Sequence, residues 1–329
     1  MQQHDILLTP NVLQPNIERG ITLNTLKKPN IKLAVASVLC VYTIWGIQPL
    51  YWQYFADIPL PHILAHRIVW SAVFLLPIVL LNKQLPNLES AFKSAKQLKL
   101  SLLCSIAIGA NWLVNIYAAS TKQVVEASLG HYVTPIIIIL LGVYILKEPI
   151  DLYKIIAILF ATAGVVLITI YIGQLPMIAL LLIVSFTLYT FLKKISVMDS
   201  LVGITLETLL LAPIALAYLI IKMNTGLPFF GTESTKSVLL LMSTGIFTSI
   251  PLLLFSYGVR GMNLSSFGFI QYYAPTVSLI IGIFIFNEHF STMHLTSFGF
   301  IWIGILIVLI GPIIKGNKSS EDHKYIKGA

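Results

Sequence analysis

The chain has 329 residues, of which 57% are hydrophobic and only 10% charged, and its mean hydropathy is +0.87. A water-soluble domain carries about 25% charged residues, so a soluble enzyme or soluble binding module is excluded. The formal net charge of +8 is spread over short segments between apolar runs, which excludes nucleic acid as the partner.

Apolar runs near twenty residues read as membrane-spanning helices, because a helix rises about 1.5 Å per residue against a hydrocarbon core of about 30 Å. Ten such spans can be drawn, at 33–51, 62–81, 99–119, 125–146, 153–171, 175–192, 201–221, 237–258, 264–286 and 294–314. The short alternating strands of a β-barrel are absent. The expected fold class is therefore all-α integral membrane, with ten transmembrane helices. Residues 1–32 are polar, contain Pro10, Pro15 and Pro29, and show no small-residue cleavage site, so they read as a loosely ordered tail rather than a signal peptide. The two cysteines, Cys40 and Cys104, both fall inside spans and suit packing better than a disulfide or a metal site.

In chain order, the first span places Trp45, Gln48, Pro49 and Trp52 at helical spacing. Trp52 and Tyr54 suit an interfacial aromatic belt, whereas Trp45 and Gln48 lie deep enough to line a cavity. The second span carries Arg67 about five residues inside its apolar stretch. A charge there needs a partner or a water-filled cavity, with snorkelling to the interface as the bland alternative. His62, His66 and Trp70 share one face of this span at i, i+4 and i+8; a zinc site would need more ligands, so no metal is expected, and His66 joins the cavity candidates. The third span sets Asn111 and Asn115 one turn apart, pointing the same way, for bonding between helices or to a substrate. The fourth adds Ser128, His131 and Tyr132, with Pro135 kinking it; Glu148 beyond it should end the helix and touch a neighbouring loop. The fifth, with Ala157, Ala161 and Gly164, reads as a packing helix. The sixth ends in the basic pair Lys193 and Lys194, a topology anchor. Glu207 in the seventh is a candidate proton-coupling carboxylate, or a partner for Arg67 or a histidine. The eighth carries Pro251 and Tyr257. The ninth offers Gln271, Tyr272 and a second kink at Pro275. The tenth, with Trp302, Gly304 and Gly311, reads as packing, and the tail after Lys315 as frayed.

One stretch occurs twice. Val125 to Glu148 reads V-E-A-S-L-G-H-Y-V-T-P-I-I-I-I-L-L-G-V-Y-I-L-K-E, and 140 positions on, Ser265 to Glu288 reads S-S-F-G-F-I-Q-Y-Y-A-P-T-V-S-L-I-I-G-I-F-I-F-N-E. Tyr132, Pro135, Gly142, Ile145 and Glu148 fall on identical residues, and Arg67 falls on Glu207. Such a period divides the chain into a tail (1–32), a first five-helix repeat (33–171), a second five-helix repeat (175–314) and a tail (315–329). Five is odd, so the second repeat enters the membrane inverted, which is a transporter architecture with the substrate site near the midplane. Assigning alternate loops to the two sides puts 17 of the 21 basic residues on one side and three on the other, with Arg67 inside a span. Basic loops mark the cytoplasm, so both termini are expected there.

The stretches I-L-A-H-R-I-V-W-S (63–71), N-W-L-V-N-I-Y-A (111–118), V-V-E-A-S-L-G-H-Y-V-T-P (124–135), L-E-T-L-L-L-A-P (206–213) and Q-Y-Y-A-P-T (271–276) resemble the RarD branch of the EamA-type drug/metabolite transporters, over about residues 33–314. The resemblance implies two inverted five-helix repeats around a central cavity in the bacterial inner membrane. The long amino-terminal tail departs from the family pattern, as do His131 and Thr134. The expected function is secondary transport of small metabolites or drugs by alternating access, most simply export. An importer or exchanger of amino acids or nucleotide-like metabolites is the alternative. A membrane scaffold or an intramembrane enzyme is more remote, for H-E-x-x-H, G-x-S-x-G and Walker motifs are all missing. The cavity would be lined by Trp45, Gln48, His66, Arg67, Asn111, Asn115, His131, Tyr132, Glu207, Gln271 and Tyr272. The partners expected are a small-molecule substrate and the lipid bilayer, with proton coupling and a homodimer as options and no cofactor.

Overall fold

The structure is a computed structural model describing residues 30–55, 58–120, 124–173, 177–226, 228–230, 234–285 and 291–326. The tail before residue 30 and Glu288, expected to match Glu148, lie outside the described residues. The described chain is helical: α1 (Ile31–Trp52), α2 (Leu60–Leu81), α3 (Leu85–Lys93), α4 (Ala95–Ser120), α5 (Val124–Tyr144), α6 (Leu152–Ile172), α7 (Met177–Ile195), α8 (Ser200–Asn224), α9 (Thr235–Gly261), α10 (Leu264–Gln271), α11 (Tyr273–Phe284) and α12 (Thr292–Ile326). Among the described residues, seven helices (α1, α2, α4, α6, α7, α8 and α9) are long and apolar enough to cross a membrane, and Gly130–Tyr144 and Leu295–Val308 are shorter apolar segments.

Local chemistry sets the helix ends. Pro59 and Pro61 open α2, where a missing backbone N–H costs nothing. The Asp151 carboxylate caps α6 by accepting from the Lys154 amide at 2.9 Å, and Asp199 does the same for α8 at Leu201, also at 2.9 Å, each satisfying an orphan donor. Gly173, with φ of +83°, closes α6 in the left-handed conformation that glycine adopts without steric cost. The expected ninth span is two helices. Proline at 275 lacks an N–H and its ring crowds the carbonyl four residues back, which is Gln271, the last residue of α10. Pro135 leaves α5 continuous.

Three further elements depart from the sequence reading. The segment expected as the second loop contains α3, whose Leu88 and Ala91 are buried against Met198, Val202 and Leu206. The last helix runs on to Ile326, where a frayed tail was expected. Cys104 is buried in the core as anticipated, but Cys40 is exposed.

Packing is cross-connected between the two halves of the chain. α6 pairs with α12, α2 with α8 and α9, α1 with α9 and α11, α4 with α7 and α8, and α5 with α7 and α10. The central core holds Tyr42, Tyr189, Phe255 and Phe267, while large aliphatics such as Leu159, Ile170 and Ile214 stand exposed on the outer faces, suited to lipid rather than water. Close helix approaches fall at glycines. A Cβ on Gly245 of α9 would lie 2.4 Å from the Trp70 carbonyl carbon of α2, and one on Gly164 of α6 would lie 2.5 Å from the Ser297 carbonyl oxygen of α12.

Glu148 makes the tightest of these cross-connections. Its carboxylate accepts from the backbone N–H of Leu264 at 2.7 Å, from that of Ser265 at 2.9 Å, and from the Ser265 hydroxyl. It therefore caps α10, whose N-cap Asn263 makes no side-chain cap of its own. A charge at a helix start satisfies orphan donors and meets the positive end of the macrodipole. The carboxylate fits because position 142 is glycine, where a Cβ would stand 2.6 Å from Glu148 Oε2. Charge-assisted bonds of this kind are each worth about 1.5–3 kcal/mol. Glu148→Ala is therefore expected to lower the stability of the detergent-solubilised protein by about 2 kcal/mol, with Glu148→Gln in between. Equal melting of all three would mean that the cap contributes nothing.

Candidate functional site

Polar side chains inside the apolar helices form three groups. The first runs across α5, α4 and α7. His131 Nε2 lies 3.2 Å from Asn115 Oδ1. Asn115 Nδ2 donates to the Asn111 carbonyl at 2.9 Å and to its side-chain oxygen at 3.2 Å. Asn111 Nδ2 donates to Ser185 Oγ at 3.0 Å. The one-turn spacing of the asparagines does what it promised, since both amides point to one side. The chain leads from the exposed His131 to the buried Asn111.

The second group is a buried ion pair. Lys193 Nζ lies 2.8 Å from Glu207 Oε1, with the two side chains only 2% and 5% exposed. The Tyr189 hydroxyl stands 3.4 Å from the other carboxylate oxygen. This corrects two expectations. Glu207 is partnered by neither Arg67 nor a histidine, and Lys193 is no surface anchor but the counter-charge of an in-span carboxylate. The Ser105 hydroxyl reaches the Glu207 backbone carbonyl at 3.0 Å, fixing α4 to α8 at this level. Glu207, Thr208, Ser71, Trp112 and Thr248 line a small pocket between α2, α4, α8 and α9, with room for about one water-sized sphere.

The third group surrounds Arg67. Its Nε donates to Thr248 Oγ1 at 3.0 Å, and its guanidinium carbon lies 5.0 Å from the Trp52 ring centroid and 4.7 Å from that of Trp112. Both distances are within cation–π range. Trp52 thus holds the arginine from α1. Nearby, His62 and His66 both reach the Phe229 carbonyl through Nε2, at 2.7 and 2.8 Å. The Trp70 indole N–H lies 3.2 Å from His66 Nδ1, which makes that nitrogen the acceptor and leaves the proton on Nε2. Both rings are fully buried and hold the segment between α8 and α9, so His66 is a structural tie rather than a cavity wall.

The remaining expected positions separate. Trp45 is enclosed by Tyr42, Phe186 and Phe255 at centroid distances of 5.5–6.0 Å, an aromatic packing site. Gln48 is half-buried. Gln271 is buried, and its Oε1 has no hydrogen-bond partner among the described residues. The Tyr272 hydroxyl donates to the Tyr132 carbonyl at 3.1 Å across 140 positions of sequence. Pro135 is buried beside α10, its carbonyl 2.9 Å from where a Cβ on Gly268 would sit, while Pro275 sets the α10–α11 break. Among the described residues no group of three or more His, Cys, Asp or Glu could hold a metal. Tyr189, Ser185, Thr248 and Trp112 escaped the sequence reading, and Lys193 was read there only as an anchor. Only Trp112, inside N-W-L-V-N, carried a local hint.

Comparison with known proteins bears on these groups. The EamA-like transporter family matches residues 32–170. The uncharacterized transporter YojE of Bacillus subtilis (strain 168) is 38% identical over 286 residues, covering 86% of this chain and 95% of that protein. Protein RarD of Salmonella typhi is 32% identical over 86% of this chain and 97% of that one. Protein RarD of Escherichia coli (strain K12) is 30% identical over 87% and 97%. A solved crystal structure, 15% identical, superposes with a TM-score of 0.63 over 83% of this chain and 96% of that one, a likeness of fold alone.

Proposed function

Because this chain belongs to the EamA-like transporter family, in its RarD type, and is a multi-pass membrane transporter, we propose that it is a secondary active carrier. It moves small metabolites or drugs across the bacterial inner membrane by alternating access between two inverted five-helix halves, with both termini in the cytoplasm. The observation that carries this reading is the way the halves interlock. Renumber each span by its place in its half and exchange the halves. The α5–α7 contact then becomes α1 against α10 and α11, the α1–α9 contact becomes α4–α7, and α2–α8, α5–α10 and α6–α12 map onto themselves. The Tyr272–Tyr132 bond, spanning 140 positions, joins equivalent residues across that exchange. Rocking of one half against the other needs such an interface. A scaffold does not.

Substrate contact falls to the Asn115–His131 end of the first polar chain and to Gln271, whose buried acceptor oxygen stands unpaired among the described residues. A buried unpaired acceptor is costly and is relieved by a donor on a bound solute. The test is flux. Purified protein in liposomes, loaded with a pH-sensitive dye and offered amino acids, nucleosides and amphenicols under a proton gradient, is expected to dissipate the gradient with one class of solute. Counterflow of a radiolabelled metabolite would identify a facilitator or exchanger instead. Asn115→Ala and Gln271→Ala should each slow the flux about tenfold, the scale of one lost hydrogen bond of about 1.4 kcal/mol. Undiminished flux in both variants would rule out this cavity.

A further inference from the structure

Resting on the transporter reading, we propose that Arg67 is the receptor for a carboxylate, and that the transported solute is a monoanion carrying one. The argument begins with charge balance. Lys193 and Glu207 are buried and cancel each other at 2.8 Å; among the half-buried charges, Lys194, Arg260 and Glu148 sit at helix ends, whereas Arg67 lies in the interior of α2 with no carboxylate partner among the described residues. An unpaired cation inside a membrane span is expensive and marks a ligand path.

Its surroundings hold the group in place without neutralising it. Nε is committed to the Thr248 hydroxyl, and the flat faces of Trp52 and Trp112 flank the guanidinium. The two terminal nitrogens make no hydrogen bond to any described residue. A planar fork fixed at one end, with its free donors side by side, is the geometry that accepts a carboxylate in two parallel bonds. Arg67 is half-buried rather than sealed in the core. Two of the groups that hold it, Trp112 and Thr248, also line the small pocket with Ser71 and Glu207, so the receptor stands beside that pocket. Stoichiometry selects the ligand. One uncompensated positive charge is matched by one negative charge, whereas a dianionic phosphate would leave an excess beside Glu207, which also lines the pocket.

The test is equilibrium binding to the purified full-length protein in nanodiscs, read by intrinsic tryptophan fluorescence, because Trp52 and Trp112 flank the guanidinium. The probes are benzoate, its neutral isostere benzamide, and phenyl phosphate. Benzoate should give a saturable signal, benzamide none, and phenyl phosphate binding at least tenfold weaker. Arg67→Gln should abolish the benzoate signal, and Arg67→Lys should weaken it at least tenfold, since an ammonium cannot form the parallel pair. Thr248→Val keeps the charge and loosens the fork, and should weaken benzoate several-fold even if Arg67→Gln does not fold. Absence of benzoate binding, equal binding of benzamide, tighter binding of phenyl phosphate, or an unchanged dissociation constant in the Arg67 and Thr248 variants would each overturn the carboxylate receptor. Binding needs no translocation, so the two readings fail separately. Benzoate binding without flux of any carboxylate would sink the carrier and keep the receptor; flux of a neutral solute without anion binding would do the reverse.

Discussion

Glu207→Gln is expected to destabilise the protein by about 3–5 kcal/mol, and Lys193→Met by a similar amount, whereas the double replacement Lys193→Met with Glu207→Leu should recover most of the loss. The reason is desolvation. The two side chains are 2% and 5% exposed, so each charge is kept out of water only by the other. Removing one partner leaves a buried charge uncompensated, while removing both and filling the volume with apolar atoms is often neutral or better. Thermal unfolding of the four proteins in the same detergent checks this. A Glu207→Gln variant that melts with the parent would show that the pair is not formed. The expectation also bears on coupling: loss of proton-linked flux in Glu207→Gln alone would confound chemistry with folding. Flux measured in the stable double variant separates them, for a coupling carboxylate cannot be replaced by leucine, and a structural pair can.

Gly245→Ala should cost about 3 kcal/mol or prevent assembly altogether, whereas Gly299→Ala should be neutral or mildly stabilising. At position 245 the new methyl would stand 2.4 Å from the Trp70 carbonyl carbon and 2.5 Å from its oxygen. Those are backbone atoms and cannot rotate away, so α9 must back off α2, loosening the Ser71 hydroxyl from the Gly245 carbonyl at 3.3 Å and the Thr248 hydroxyl from Arg67. Overpacking of this kind costs about 1–3 kcal/mol and more where nothing can yield. At position 299 a methyl meets nothing within 4 Å, and alanine is the better helix former by up to about 1 kcal/mol. Equal melting of the two variants would mean that α2 and α9 are not in contact there.

Helix placement was legible because hydrocarbon thickness dictates run length, and the apolar runs coincide with the helices to within a few residues, except that the ninth run is two helices and the last helix continues past its run to Ile326. α3 was not, because a nine-residue segment with two buried side chains gives no run to see. The proline at 275 signalled a kink, and the full break at Gln271 required knowing which carbonyl its ring displaces. Within the candidate site, polar residues in apolar runs stood out one by one, and the Asn111–Asn115 pair could be oriented from spacing alone. Partnerships could not. Lys193 looked like an interfacial anchor because nothing local distinguishes a lysine facing lipid headgroups from one turned inward to a carboxylate on the next helix. Arg67 finds Thr248 across 181 positions, and no sequence period marks that residue as its partner.

The pairing of α6 with α12 has a consequence for how the chain is made. Gly164 on α6 and Gly304 on α12 let the two backbones close on each other, a Cβ on Gly304 meeting the Ala157 carbonyl oxygen at 2.8 Å. Yet α12 leaves the ribosome long after α6. At about 5–20 residues per second, the roughly 120 residues between Ile172 and Thr292 keep α6 waiting on the order of 10 s. During that interval its small-residue groove faces lipid or whatever the insertion machinery offers. A message truncated before α12 would leave the groove permanently unfilled.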